Sequence, residues 1–364
     1  MVVPRVARVP LMALAMAALA AGVWAGLLRV GWPLPAPGES FGALHGPLMI
    51  GGFLGTLIGV ERAVALGGVW PYAAPVLSAA GVVALLAGSP LAPLLLTGAA
   101  ALLTATCLAI FAAQPALFTA TMALGAMSWL VGNAAWLAGV AVPQLVSWWL
   151  AFLVLTIAGE RLELSRLMPR TRAAERTFTA VVVVLLAGLV SGGIASGFGA
   201  RLVGLALVAL TVWLARYDVA RRTIRQTGLP RFTAWCLLTG YGWLAVAGLI
   251  AMSGGTLVDT RAYDAFLHAV LLGFVFAMIF GHAPIIFPAV LGVPIPFRGG
   301  FYLHLLLLHF SVALRLEGDA VGYDPPRAWG GLFGALAVLL FMASTGRAAV
   351  ATRRGVSASR GSVA

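Results

Sequence analysis

Lysine is missing altogether: all 23 basic residues are arginine, only 11 acidic residues face them, and charged side chains make up 9% of the chain. A water-soluble domain of 364 residues needs far more charge than that to keep its surface wet, so that class is excluded. Cysteine is nearly absent too. Cys107 and Cys236 both fall inside apolar runs, which argues against a disulfide framework and for thiols used in helix packing. No Cys-x-x-Cys-His motif occurs, so a covalently attached c-type heme is excluded. Nor do the apolar runs show the two-residue alternation of barrel strands.

What the chain has is apolar length: 62% hydrophobic residues and a mean hydropathy of +1.02. Runs of roughly 20 apolar residues, each enough to cross a hydrocarbon core, follow one another with short breaks. Backbone groups in lipid must find partners within their own segment, so the expectation is an all-α, polytopic membrane helical bundle of about twelve transmembrane helices. The spacing predicts helices over 9–30, 41–66, 70–88, 91–112, 116–139, 143–166, 175–197, 200–216, 230–253, 264–290, 299–316 and 327–346. Pro33 to Gly38, Gly67–Gly68, Ser89–Pro90, Gln114–Pro115, Pro143 and Pro294 to Gly300 punctuate them. Residues 1–346 form one transmembrane domain, and 347–364 are expected to be a disordered cytoplasmic tail. The stretch Met1 to Trp24 resembles a signal peptide, but its apolar run continues to Val30, so an uncleaved first helix is expected.

The net charge of +12 has a topological use here rather than a nucleic-acid one. With the N-terminus inside, the cytoplasmic side receives Arg5, Arg8, Arg62, Arg161 to Arg176, Arg216 to Arg231, Arg298 and the C-terminal arginines. The outer side keeps Arg29, Arg201, Arg261, Arg315 and Arg327 and collects Asp259, Asp264, Glu317, Asp319 and Asp324. An even helix number with both termini inside (N-in/C-in) preserves this asymmetry, as expected for a bacterial inner (plasma) membrane.

Five histidines fall within the expected helices: His45, His268, His282, His304 and His309. Polar groups at membrane depth are functional candidates. Helices 2 and 10 both run from outside to inside, and each carries a histidine about four residues below its outer end. At a rise of about 1.5 Å per residue the two imidazoles share a depth. Two neutral imidazoles at one depth on different helices are what a six-coordinate heme iron needs as axial ligands. Gly52 and Gly59, seven and fourteen residues after His45, would leave room on that face, for a macrocycle or for a neighbouring helix. His282, fourteen residues after His268, should lie on nearly the same face of helix 10. Together with His304 and His309 it is either a metal site, for a second heme or copper, or a set of histidines hydrogen-bonded between helices.

The segment Leu44-His45-Gly46-Pro47-Leu48-Met49 resembles the His-Gly-x-x-Met stretch on the second helix of heme-copper oxidase subunit I. The partner ligand of that family lies on helix 10, where this chain has Leu267-His268-Ala269. A twelve-helix chain with His-Ala near the start of helix 10 is also similar to the NnrS-like family, membrane proteins that contain heme and copper and are linked to nitric oxide stress. The resemblance implies a heme b on His45 and His268. The departures matter as much. Helices 6 and 7 carry no histidine, helix 10 lacks a paired His-x-His, and helix 2 lacks a His-x-His-Glu start, so oxygen reduction by the oxidase mechanism is not expected.

Glu61-Arg62 and Glu160-Arg161-Leu162-Glu163 end helices 2 and 6. They could pair across helices, bind heme propionates, start a proton path or simply snorkel. Asp264, four residues before His268, is either its hydrogen-bond partner or a solvated loop charge. Trp129, Trp136, Trp148 and Trp149 read as interface anchors and packing residues, and Asn133 as a buried amide in need of a partner. The expected function is electron transfer, or binding and turnover of a diatomic gas such as nitric oxide, with the lipid bilayer and an electron donor or respiratory partner as its surroundings. A cofactor-free secondary transporter of a small molecule is the alternative.

Overall fold

A computed structural model of the chain describes residues 4–165, 171–258, 260–292 and 294–361. Asp259 and part of the arginine-rich loop, residues 166–170, lie outside them. Among the described residues there is no strand. Twelve long helical rods follow the order the apolar runs predict: α1 (Val9–Arg29), α2 (residues 41–66), α3 (Ala73–Leu86, entered through a 3-10 turn from Trp70), α4 (Ala92–Ala113), α5 (Leu117–Leu137), α6 (Val142–Leu164), α7 (Arg172–Val190), α8 (Gly197–Tyr217), α9 (Gly228–Ser253), α10 (residues 261–291), α11 (Phe301–Val321) and α12 (Asp324–Gly361). Among the described residues ten helices are long and apolar enough to cross a membrane, and the remaining two rods are the shorter α3 and the histidine-bearing α11. Leu94, Val212, Leu249, Leu306 and Leu339 stay exposed on the rods, as lipid-facing side chains should.

Consecutive rods pack mostly as antiparallel hairpins, with α5 against α6 and α11 against α12 the most extensive pairs. Three rods lie deepest. The apolar windows of α2, α6 and α10 are 67%, 72% and 61% buried, against 33–56% for the other seven apolar spans. These central helices stand four apart in sequence, so each is surrounded by its own chain neighbours.

Local chemistry explains several ends. Gly192 adopts φ +99° and Gly193 φ +54°, which L side chains rarely adopt, and α7 stops at Val190 rather than running to 197. Gly292, in the left-handed region, closes α10 after Pro284 and Pro288. Arg8 donates from Nη1 to the carbonyl of Val290 at 2.9 Å, so the chain start caps the end of α10. The last helix runs past 346, to Gly361.

Candidate functional site

Helices α2 and α10 share an irregularity that composition does not reveal. Each becomes a π-helix just after its first histidine: Pro47–Leu54 follows His45, and Ala269–Phe276 follows His268. Pro47 has no N–H to donate back into the preceding turn, which favours departure from the α pattern in α2. In α10 the π stretch is centred on Gly273. Single π segments inside α-helices are frequent at functional sites. The two stretches meet eight residues below the histidines, where Phe53 and Phe276 lie with ring centroids 6.1 Å apart.

Above that contact the two imidazoles come close together. The ring centroids of His45 and His268 are 6.3 Å apart and the ring planes differ by 16°. Each Nδ1–H donates to a backbone carbonyl: His45 to Gly22 on α1 at 2.7 Å, and His268 to Asp264 one turn earlier at 2.8 Å. These bonds fix the tautomer and the ring plane, and they leave Nε2 with its lone pair as the free nitrogen of both rings. Both rings line one cavity of about 390 Å³, within the range of small-molecule and cofactor sites. Its walls come from α1, α2, α6, α10, α11 and α12. Ile50, Leu54 and Phe276 lie on its inner side, and Val142, Pro143 and Val146 from the start of α6 close one flank.

Glycine makes the space. Gly26, Gly46, Gly331 and Gly334 line the cavity. A Cβ at Gly26 would stand 2.8 Å from His45 Nδ1 and 2.9 Å from Cε1, so α1 lies against the ring edge where no side chain fits. Gly26→Ala is therefore expected to tilt His45 and to cost about 1–3 kcal/mol of stability, the usual cost of overpacking, read as a lower thermal unfolding midpoint in detergent. Gly52 and Gly59, by contrast, face Val82, Ala18 and Pro75, and serve helix packing rather than the cavity.

Three arginines stand at the outer mouth: Arg29, Arg315 and Arg327 all line the cavity. Arg315 holds the Asp264 carboxylate with two bonds, Nε at 2.7 Å and Nη2 at 2.9 Å. Arg327 Nε lies 3.4 Å from Asp264 and 3.1 Å from the buried carboxylate of Asp319. Asp264 is thus no solvated loop charge. It joins His268 to the arginine pair, with its own carboxylate 3.4 Å from His268 Nδ1. Arg29 has no ion-pair partner among the described residues. Sequence reasoning treated these three arginines as outer loop charges. Their position at helix ends level with the histidines was the available signal.

The three remaining histidines are not brought together. His282 accepts from Arg161 Nη1 at 2.9 Å through Nε2 and donates from Nδ1 to the Met278 carbonyl at 2.7 Å, so both nitrogens are used. His304 is fully buried among Phe232, Phe280, Phe301 and Phe341. His309 accepts from Trp243 Nε1 at 2.9 Å. Among the described residues no group of three or more His, Cys, Asp or Glu side chains is placed to hold a metal ion. The expectation of a metal site on His282, His304 and His309 finds no such cluster behind it. The π stretch of α10 uses more residues per turn and breaks the phase that 3.6-residue counting carries from His268 to His282.

The charged helix ends form two buried networks at the other end of the bundle. Arg62 Nη2 bridges Glu61 at 2.7 Å and Glu160 at 3.0 Å, tying α2 to α6. Arg161 donates Nε and Nη2 to the two oxygens of Asp218 at 2.7 and 2.9 Å. Tyr241 Oη at 3.1 Å and the Ala220 amide at 2.7 Å complete the carboxylate's partners.

A family model described as a domain of unknown function (DUF8744) matches residues 8–350. No curated protein and no solved structure matches the chain.

Proposed function

Since the chain belongs to the DUF8744 family, whose function is unknown, the site itself must carry the assignment, and we propose that this is a heme-binding integral membrane protein in which His45 and His268 are the axial ligands of one b-type heme. The observation that carries the reading is the spacing of the two rings. With metal–nitrogen bonds of about 2 Å and about 1 Å from ring centre to nitrogen, imidazoles on opposite sides of one ion have centroids about 6 Å apart. The observed separation is 6.3 Å, with the planes nearly parallel and both Nδ1 atoms already engaged.

The surroundings support the same reading. The apolar, glycine-lined walls suit a flat macrocycle. Arg29, without an ion-pair partner among the described residues, and the Arg315–Arg327 pair suit its carboxylates at the outer mouth. That role passes from Arg62, which is engaged with Glu61 and Glu160 at the opposite end.

A heme supplies one-electron chemistry, and a bis-histidine pair leaves no open position for a gas. The reading is therefore electron transfer rather than turnover of nitric oxide, within a bacterial plasma membrane and with a donor or respiratory partner approaching the outer end. Around the cofactor the chain's own residues would do three things: α1 and Asp264 hold the rings, Phe276 backed by Phe53 closes the floor, and the arginines balance charge.

The test is a reduced-minus-oxidised absorbance spectrum of detergent-purified protein from cells with ample heme supply. A sharp low-spin signal at one heme per chain is expected. A colourless, well-folded protein would remove the reading and leave the cavity to a transported small molecule.

A further inference from the structure

His309 was a candidate metal ligand and is bound to none of the other histidines, yet its surroundings point to a use. Trp243 on α9 donates its indole N–H to His309 Nδ1 on α11 at 2.9 Å. Accepting that bond puts the imidazole proton on Nε2, which is buried and has no hydrogen-bond partner among the described residues. The imidazole thus leaves one of its own polar groups unsatisfied while serving the indole, an arrangement that an apolar side chain would avoid. The indole in turn presses on the π stretch of α10. A Cβ at Gly273 would stand 2.4 Å from Trp243 Cγ, 2.5 Å from Cβ and 2.9 Å from Cδ1, the first of these the shortest such distance among the described glycines. Gly273 lies in the centre of Ala269–Phe276, five residues after His268.

We infer that Trp243 and His309 are positioning residues that hold the π-helical stretch of α10, and through it the ring of His268. The mechanics are direct. A π segment is a strained alternative to the α pattern. It persists where a neighbour occupies the space that the regular helix would reclaim. Trp243 is that neighbour, and its bond to His309 keeps the indole from rotating away from Gly273. The α2 counterpart needs no such wedge, because Pro47 already blocks the α pattern there. The inference rests on the reading of His268 as an axial ligand for its consequence, but not for the packing itself.

Two readouts separate the two claims. Hydrogen–deuterium exchange of the purified full-length protein reports on the π stretch with or without hemin. His309→Phe keeps an aromatic ring and removes the acceptor, so peptides covering residues 269–276 should exchange about threefold to tenfold faster, the equivalent of one net hydrogen bond. His309→Gln, whose amide oxygen can accept from the indole, should restore near wild-type exchange, and Trp243→Phe should behave as His309→Phe. In hemin-loaded protein the two phenylalanine variants should also show a shifted or heterogeneous low-spin electron paramagnetic resonance signal. Unchanged exchange and an unchanged signal in a folded His309→Phe protein would overturn the inference. Faster exchange in a protein that takes up no hemin would sustain the packing role and sink the heme reading instead.

Discussion

Alanine at either His45 or His268 should abolish the low-spin signal of the proposed heme, and the two together should leave the protein colourless: this is the largest effect expected of any single side chain here. On the proposed reading each ring supplies one of two ligands, and among the described residues no other histidine lines the cavity. Loss of one ligand turns a six-coordinate iron into a five-coordinate one with an open position. Each single variant should therefore bind carbon monoxide where the wild-type protein does not, and added imidazole should restore the low-spin spectrum by filling the vacated space. Both changes are read by absorbance in the same preparation. A wild-type spectrum in either single variant would show that the ligand is elsewhere.

The second large effect concerns stability at the other end of the bundle. Asp218 has no exposed side-chain surface and is held by Arg161, Tyr241 and the Ala220 amide. Removing one member of a buried ion pair leaves an uncompensated charge, at a cost of about 3–5 kcal/mol. Asp218→Ala strands the Arg161 guanidinium, leaving it neutral partners such as His282 in place of a carboxylate, and should lower the thermal unfolding midpoint in detergent sharply and reduce the yield of folded protein. Asp218→Asn should recover part of the loss, because its amide oxygen still accepts from Arg161 and Tyr241. The low-spin signal of protein that remains folded should not change, since the network lies at the end of the bundle opposite the cavity mouth. A midpoint in Asp218→Ala equal to that of the wild type would show that solvent or lipid already compensates Arg161.

How much of this could be read from residues alone follows the physics of each signal. Helix number and order were legible because a membrane span needs a continuous apolar run, and such runs are bounded by Pro, Gly and charge. The His45–His268 pair was legible because depth along a helix depends only on residue count, at a fixed rise. Direction around the helix was not, and this separates the pair that meets at one cavity from the histidines that do not. Counting at 3.6 residues per turn placed His282 on the face of His268 and Gly59 on the face of His45. Both counts cross a π stretch, and π geometry depends on tertiary neighbours such as Trp243 that are distant in sequence. The same holds for the Gly22 carbonyl and for Arg29: a backbone acceptor and a lone arginine on α1 carry no local motif. Asp264 was half legible. Its i,i+4 spacing to His268 predicted contact, while its two-bond grip by Arg315, 51 residues away, could not be foreseen.

The claim that one iron sits between His45 and His268 is tested most directly by near-infrared magnetic circular dichroism of the oxidised, detergent-purified protein. The charge-transfer band of a low-spin ferric heme distinguishes bis-imidazole ligation from other pairs. The paired rings predict a bis-imidazole band that disappears in both His45→Ala and His268→Ala. A high-spin spectrum, or a low-spin band characteristic of another ligand pair, would contradict the assignment of these two histidines.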